Sequence, residues 1–158
     1  MKLPSLLIGL MAVLFSAPSV AQQQLPSFDQ VRSQYAKSKD LTRVSFLYRR
    51  CAALQLNVSA LLIRQKQPKA AADYENLAQH YMVMSEVVDR EIDLFQRTKT
   101  NKPSDTVNLA VKHLSEEYAQ RMRDNKTKRG EYFLGDTALE KEMAECLKPD
   151  VLAKSVGR

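Results

Sequence analysis

The chain has 158 residues, 24 Lys and Arg against 18 Asp and Glu, and only four glycines. That length makes one domain the default, and so few glycines all but exclude a phosphate-cradling glycine loop. The net charge of +6 suits anionic partners, but the export signal described next argues against nucleic acid as one of them.

The first 21 residues read as a secretory leader. Lys2 is a short positive start, Leu6 to Phe15 is an apolar run, and Ser19-Val20-Ala21 is a small-x-small cleavage site. The run is about half the roughly twenty residues a membrane-spanning helix needs, and no later stretch is apolar enough to span. Cleavage after Ala21 places the mature chain in the bacterial periplasm or outside the cell. Residues 22–26 are then a flexible N-terminus, 27–149 one helical domain, and 150–158 a mobile tail. Disulfides persist in that compartment, so the only two cysteines, Cys51 and Cys146, are expected to pair. An intermolecular bond or two free thiols are the alternatives. A redox enzyme is disfavoured, because the spacing is nothing like C-x-x-C.

The mature prolines and glycines all fall outside segments of helical period, which supports an all-α reading. Ser27-Phe28-Asp29-Gln30 fits a capping box and predicts a short helix from Phe28 to about Lys37. Asp40 is placed to cap the next helix, with Ser38-Lys39-Asp40 only a weak break between the two. From Leu41 to Gln67, Val44, Leu47, Cys51, Leu54, Val58 and Leu61 form an unbroken 3,4 seam. Phe46, Tyr48 and Leu62 widen it. Cys51 lies on the seam, so its partner must pack directly against this face.

Pro68 ends that helix and opens the next, from about Lys69 to Arg97. Its seam is Tyr74, Ala78, Tyr81, Ser85, Val88, Ile92 and Phe95. The short turn predicts an antiparallel hairpin of the two long helices. After a polar connection over Thr98–Lys102, Pro103 opens a further helix capped by Ser104 or Asp105. Val107, Val111, Leu114, Tyr118 and Met122 mark its buried stripe, and Gly130 stops it. Tyr132-Phe133-Leu134, between two glycines, suggests a loop that plugs one end of the core. Thr137-Ala138-Leu139-Glu140 matches a second capping box, and Leu139, Met143 and Cys146 then recur at helical spacing up to Pro149. The expected fold is all-α: an antiparallel four-helix-type bundle with a short leading helix, stapled by one disulfide.

Four features carry candidate chemistry. His80 and Met84 share a helix face at i,i+4, and imidazole with thioether suits Cu(I); Met82 points about 160° away, which leaves the set incomplete. His113 stands beside Glu116 and Glu117, a pair able to ligate or exchange protons, though a solvated charged face explains it better. Glu86, Asp89 and Asp93 alternate with Arg90 and Arg97 as helix ion pairs. Arg121, Arg123, Lys126, Lys128 and Arg129 form the densest positive patch, either a docking surface for an acidic partner or anionic surface, or a helix end that complements its dipole. Asn57-Val58-Ser59 and Asn125-Lys126-Thr127 match the glycosylation acceptor pattern; the first falls inside a core helix and the leader reads equally well as bacterial, so both are discounted.

The sequence therefore points to an exported, non-catalytic interaction or accessory protein of the bacterial cell envelope, needing no cofactor and binding a protein or an anionic surface. A periplasmic small-ligand or metal-binding bundle, using the interior near Tyr81, Met84 and His80, is the alternative. An enzyme of unrecognised type using His113 and Glu117 is the third.

Overall fold

A computed structural model describes residues 25–96 and 102–149. The expected leader, most of the expected flexible stretch 22–26, the connection after Gln96 and the tail 150–158 lie outside the described residues. Five helices are found among those described, and no strand. They are Phe28–Ser38 (α1), Leu41–Arg64 (α2), Pro68–Gln96 (α3), Pro103–Arg129 (α4) and Thr137–Cys146 (α5).

Local chemistry sets the boundaries. Ser27 Oγ accepts from the Gln30 amide and Gln30 Oε1 accepts from the Ser27 amide, closing the capping box that starts α1. Lys39, with φ of 55°, takes the left-handed conformation that separates α1 from α2. Asp40 then accepts from the Thr42 amide and caps α2. That helix ends at Arg64, short of the expected Gln67, because Lys66 adopts a φ of 60° and turns the chain into Pro68.

Two expected caps differ. Neither Ser104 nor Asp105 caps α4. Lys102 occupies that position with no side-chain bond, and Pro103 fills the first turn, where a missing N–H costs nothing. At α5 the box is displaced by one residue. Asp136, not Thr137, accepts from the Leu139 amide, and Glu140 reaches back to the Gly135 amide. A carboxylate accepts a backbone N–H as readily as a hydroxyl does.

α2 is the hub, in contact with each of the other four helices. Val44, Leu47, Cys51, Leu54 and Val58 are buried as their period requires. So are Ser45, Arg50, Ala52, Ala53, Gln55 and Ser59, which means the middle of α2 is surrounded on all sides, while its two ends carry exposed residues. Ala52 and Ala53 let neighbouring helices approach closely. Several polar residues on the remaining faces bond across helices. Ser45 donates to Asp89, and Arg49 bonds both Ser85 and Asp89 on α3. Asn57 donates to the Ser115 carbonyl of α4. That bond and the helical setting agree with discounting Asn57 as an acceptor for glycan.

The α3 seam is buried at Ala78, Tyr81, Ser85 and Val88 but not at its end. Ile92 is half-buried and Phe95 is 77% exposed. Periodicity marks which side of a helix is apolar, but a neighbour must be present to cover it, and no described element covers Phe95. The α4 stripe of Val107, Val111, Leu114, Tyr118 and Met122 is buried throughout.

Cys51 and Cys146 are bonded, with both side chains fully buried. The bond joins the middle of α2 to the last residue of α5 across 95 positions. By loop-closure entropy such a crosslink is worth about 4.7 kcal/mol as an upper guide. Tyr81 Oη and Gln55 Nε2 both donate to the Cys146 carbonyl, so the end of α5 is satisfied inside the core.

Candidate functional site

The chemistry of this molecule gathers where α5 meets α2 and α4. Arg50 is 0% exposed, although arginine is almost never fully buried unless paired. Its Nη2 lies 2.7 Å from Glu142 Oε1, an ion pair whose angle falls outside hydrogen-bond geometry. Its Nε donates to Tyr118 Oη at 3.0 Å, and its Nη1 donates to the Pro26 carbonyl. The guanidinium also lies 4.7 Å from the centre of the Phe28 ring and 5.6 Å from that of Phe46.

Glu142, itself only 4% exposed, accepts from Tyr118 Oη at 2.5 Å. Burial pushes the Tyr118 phenol well above its ordinary value, and the Glu142 charge adds to this against the pull of Arg50. Tyr118 therefore stays a neutral relay that accepts from one charge and donates to the other. Arg121 Nη1 stands 3.8 Å from Glu142 and carries the cluster outward. Arg121 makes a two-pronged bond to Asp136, at 2.7 and 2.6 Å. Burial opposes ionisation of Asp136, but the Arg121 hydrogen bond and charge and the Leu139 amide hold its carboxyl below the usual 3.8. Burial likewise works against the Arg121 charge and is outweighed by Asp136.

The cluster forms the floor of a cleft of about 740 Å³ between the chain entering α1, the last turns of α4 and the start of α5. Its lining mixes signs: Glu117, Asp124, Lys128 and Arg129 all come from α4, so acid and base lie along one wall. A shallower groove of about 410 Å³ lies elsewhere, between Leu56, Met82, Val111 and Lys112.

The five basic residues of the sequence patch separate here. Arg121 is half-buried and neutralised by Asp136, so it is not part of an open surface. Arg123 is exposed, and its guanidinium bonds Gln120 on its own helix. Lys126 donates to the Gly130 carbonyl and sits 5.3 Å from the Tyr132 ring. Arg129 bonds Asn125 Oδ1 and lies over Gly135, whose φ of 84° and lack of a Cβ make room for it. Lys128 makes no ion pair among the described residues. Asn125, in the second acceptor pattern, is buried and donates to the carbonyls of Glu131 and Leu134. The intervening loop packs Tyr132 and Phe133 against the core, while Leu134 remains 66% exposed.

The candidate ligating residues do not converge. His80 is exposed and lies edge-on to Tyr81 at 5.8 Å, Met84 is half-buried against the core, and the Tyr81 hydroxyl is spent on Cys146. His113 Nδ1 is 3.9 Å from Glu116, with both side chains largely exposed, and Glu117 instead lines the cleft. Among the described residues no three His, Cys, Asp or Glu side chains come together as metal ligands.

Arg50 and Glu142, the most buried charges of the cluster, do not stand out from the hydrophobic period. One signal does point to them: Cys51 to Ile63 carries no charged residue. A helix segment without charge is expected to be largely enclosed; Cys51 to Gln55 is buried without a break, although Ala60 and Ile63 are exposed, and an arginine beside that enclosed stretch needs a buried acid. Fold and site together define a disulfide-stapled all-α protein built on a buried charge cluster. No known protein family, no curated protein and no solved structure matches the chain.

Proposed function

We propose that the chain is an exported, non-catalytic accessory protein of the bacterial cell envelope that binds a protein partner or an anionic surface. The observation that carries the export half is the Cys51–Cys146 bond, wholly buried and closing 95 positions. Such bonds form and last in oxidising compartments, where the leader-like residues 1–21, cut after Ala21, would deliver the chain. No described helix is long and apolar enough to cross a membrane. The binding half is supported by the cations at the end of α4, of which Lys126, Lys128 and Arg129 make no ion pair among the described residues. The antiparallel arrangement of the long helices belongs to the same proposal. It is supported by early α2 residues meeting late α3 residues, as in Ser45 with Ser85.

The test of export is intact mass after expression in a Gram-negative host, with and without reductant and alkylation. A periplasmic chain lacking 21 residues and two hydrogens is expected. A cytosolic, full-length chain with two alkylatable thiols would refute the proposal. The cleft of about 740 Å³ favours a second reading, a periplasmic small-ligand carrier, since that volume is typical of ligand pockets. A ligand retained in the native mass of the purified protein, and lost on substituting Lys128, would move the assignment there.

A further inference from the structure

We infer that the elbow between α4 and α5, with Lys126, Lys128 and Arg129 set around Leu134, docks on the headgroup layer of an anionic phospholipid bilayer. The inference rests on the binding proposal above and names its partner.

The elbow is a built feature. Gly130 and Gly135 both hold positive φ, 78° and 84°, so the chain turns twice within six residues. Asn125, buried in α4, ties down the carbonyls of Glu131 and Leu134. The loop is therefore held in a form that leaves Leu134 facing water while Tyr132 and Phe133 pack inward. A loop serving only as a core plug would gain by burying Leu134 as well.

Basic residues adjoin that loop: Lys126 lies over the Tyr132 ring and Arg129 against Gly135. Arg123, Lys126, Lys128 and Arg129 stand against Asp124, Glu131 and Glu140, whose carboxylate holds the Gly135 amide, so four bases to three acids leave a local excess of one positive charge. Asp136, the next acid along the chain after Glu131, is bonded by Arg121. Lys128 and Arg129 also line the cleft, near Ser27 and Thr137, on the same wall of α4 as Glu117 and Asp124.

This combination discriminates among anionic partners. A free phosphate or an acidic peptide would meet the cations but gain nothing from a lone exposed leucine. At a bilayer surface the basic side chains remain with the headgroups and the exposed leucine reaches the acyl region, while Tyr132 stays packed against the core. Each cation near an anionic membrane contributes about a fivefold increase in partitioning.

The experiment is vesicle co-sedimentation of the oxidised mature chain at about 0.1 M salt. One vesicle set is an equal mixture of phosphatidylglycerol and phosphatidylcholine, the other phosphatidylcholine alone. Binding to the first and not the second is expected. Lys126→Gln with Lys128→Gln should weaken partitioning about 25-fold, and Leu134→Ser about tenfold. Arg64→Gln with Lys69→Gln removes the same charge at the α2–α3 turn and should change it less than about twofold. That turn is remote, because Arg50 meets Tyr118 and Asn57 meets Ser115, so moving along α2 toward Arg64 leads away from Arg129. Circular dichroism establishes that each variant folds. Lys128→Gln alone, at a residue with no described partner, provides the fallback with an expected fivefold loss.

Equal binding to both vesicle sets, or equal loss from the elbow and control variants, overturns the inference. Competition by millimolar inorganic phosphate with no effect of Leu134→Ser overturns it in favour of a simple anion site. Binding to polyglutamate without binding to vesicles overturns it in favour of an acidic protein, while leaving the broader binding proposal standing. Failure of export in the mass experiment would instead remove that broader proposal.

Discussion

Arg50 and Glu142 make a quantitative test of what holds α5 in place. Replacing Arg50 by Met removes the charge but keeps much of the volume. Glu142 would then remain buried with only the Tyr118 hydroxyl at 2.5 Å and Arg121 at 3.8 Å. Breaking a buried pair from one side costs about 3–5 kcal/mol. The two surviving partners put Arg50→Met near the lower end, about 3 kcal/mol. Glu142→Leu strands Arg50 with Tyr118, the Pro26 carbonyl and the Phe28 ring, and should cost a similar amount. With both replaced, no buried charge is left alone at this spot. The remaining cost is the unpaired Tyr118 hydroxyl and Pro26 carbonyl, at roughly 1–2 kcal/mol each. The double variant should therefore lose about 3 kcal/mol, not the sum of about 6, a coupling near 3 kcal/mol. Urea denaturation of the four disulfide-intact proteins at neutral pH measures it. Typical total stability is about 5–15 kcal/mol, so the single variants should show large midpoint shifts. Single losses below about 1 kcal/mol, or losses that add within about 0.5 kcal/mol, would refute the reasoning.

Three further outcomes follow from the same structure. Cys51→Ala with Cys146→Ala should lower stability by up to about 4.7 kcal/mol; a melting temperature within a degree or two of the parent would show that packing alone holds α5. Asp29, Asp40 and Asp136 each have a carboxyl held below 3.8: by the Lys141 hydrogen bond for Asp29, by the Thr42 hydroxyl and amide for Asp40, and by Arg121 against burial for Asp136. The unfolded chain binds more protons in that window, so stability is fully present above it and falls as pH drops through and below 3.8. Urea midpoints at pH 6 and pH 3 should differ in that sense, and Asp136→Asn should narrow the gap; an unchanged gap excludes Asp136 as a contributor. Lys66, exposed and at a φ of 60°, is held in a conformation that costs an L-residue about 1–2 kcal/mol. After the extra flexibility of glycine in the unfolded chain, Lys66→Gly should stabilise by about 0.5 kcal/mol, and a measurable loss would contradict the assigned turn.

Helix placement and the disulfide were legible because their causes are local or combinatorial. Pro68, Pro103 and Gly130 limit helices by backbone geometry that each residue carries with it. The seam from Val44 to Val58 and the stripe from Val107 to Met122 follow from 3.6 residues per turn. Two cysteines admit one intramolecular pair. The two shifted caps mark the limit of such rules: at Asp136 a neighbouring residue with a comparable acceptor takes the position, and at Lys102 the helix starts on Pro103 with no side-chain cap at all.

What the tertiary structure alone decided concerns which faces acquire neighbours. Period shows that α2 has an apolar seam, but not that its other faces are enclosed as well, and so not that Arg50 is buried against Glu142, 92 positions away. The same cause separates the basic run at the end of α4. Arg121 turns inward to Asp136 while Lys128 remains in solvent, although both read as surface cations in the sequence. Leu134 and Phe95 show the converse: apolar side chains left in solvent because no described element covers them. Spacing along one helix is an internal property of the chain. Burial and pairing are properties of two segments at once, and they exist only when distant residues meet.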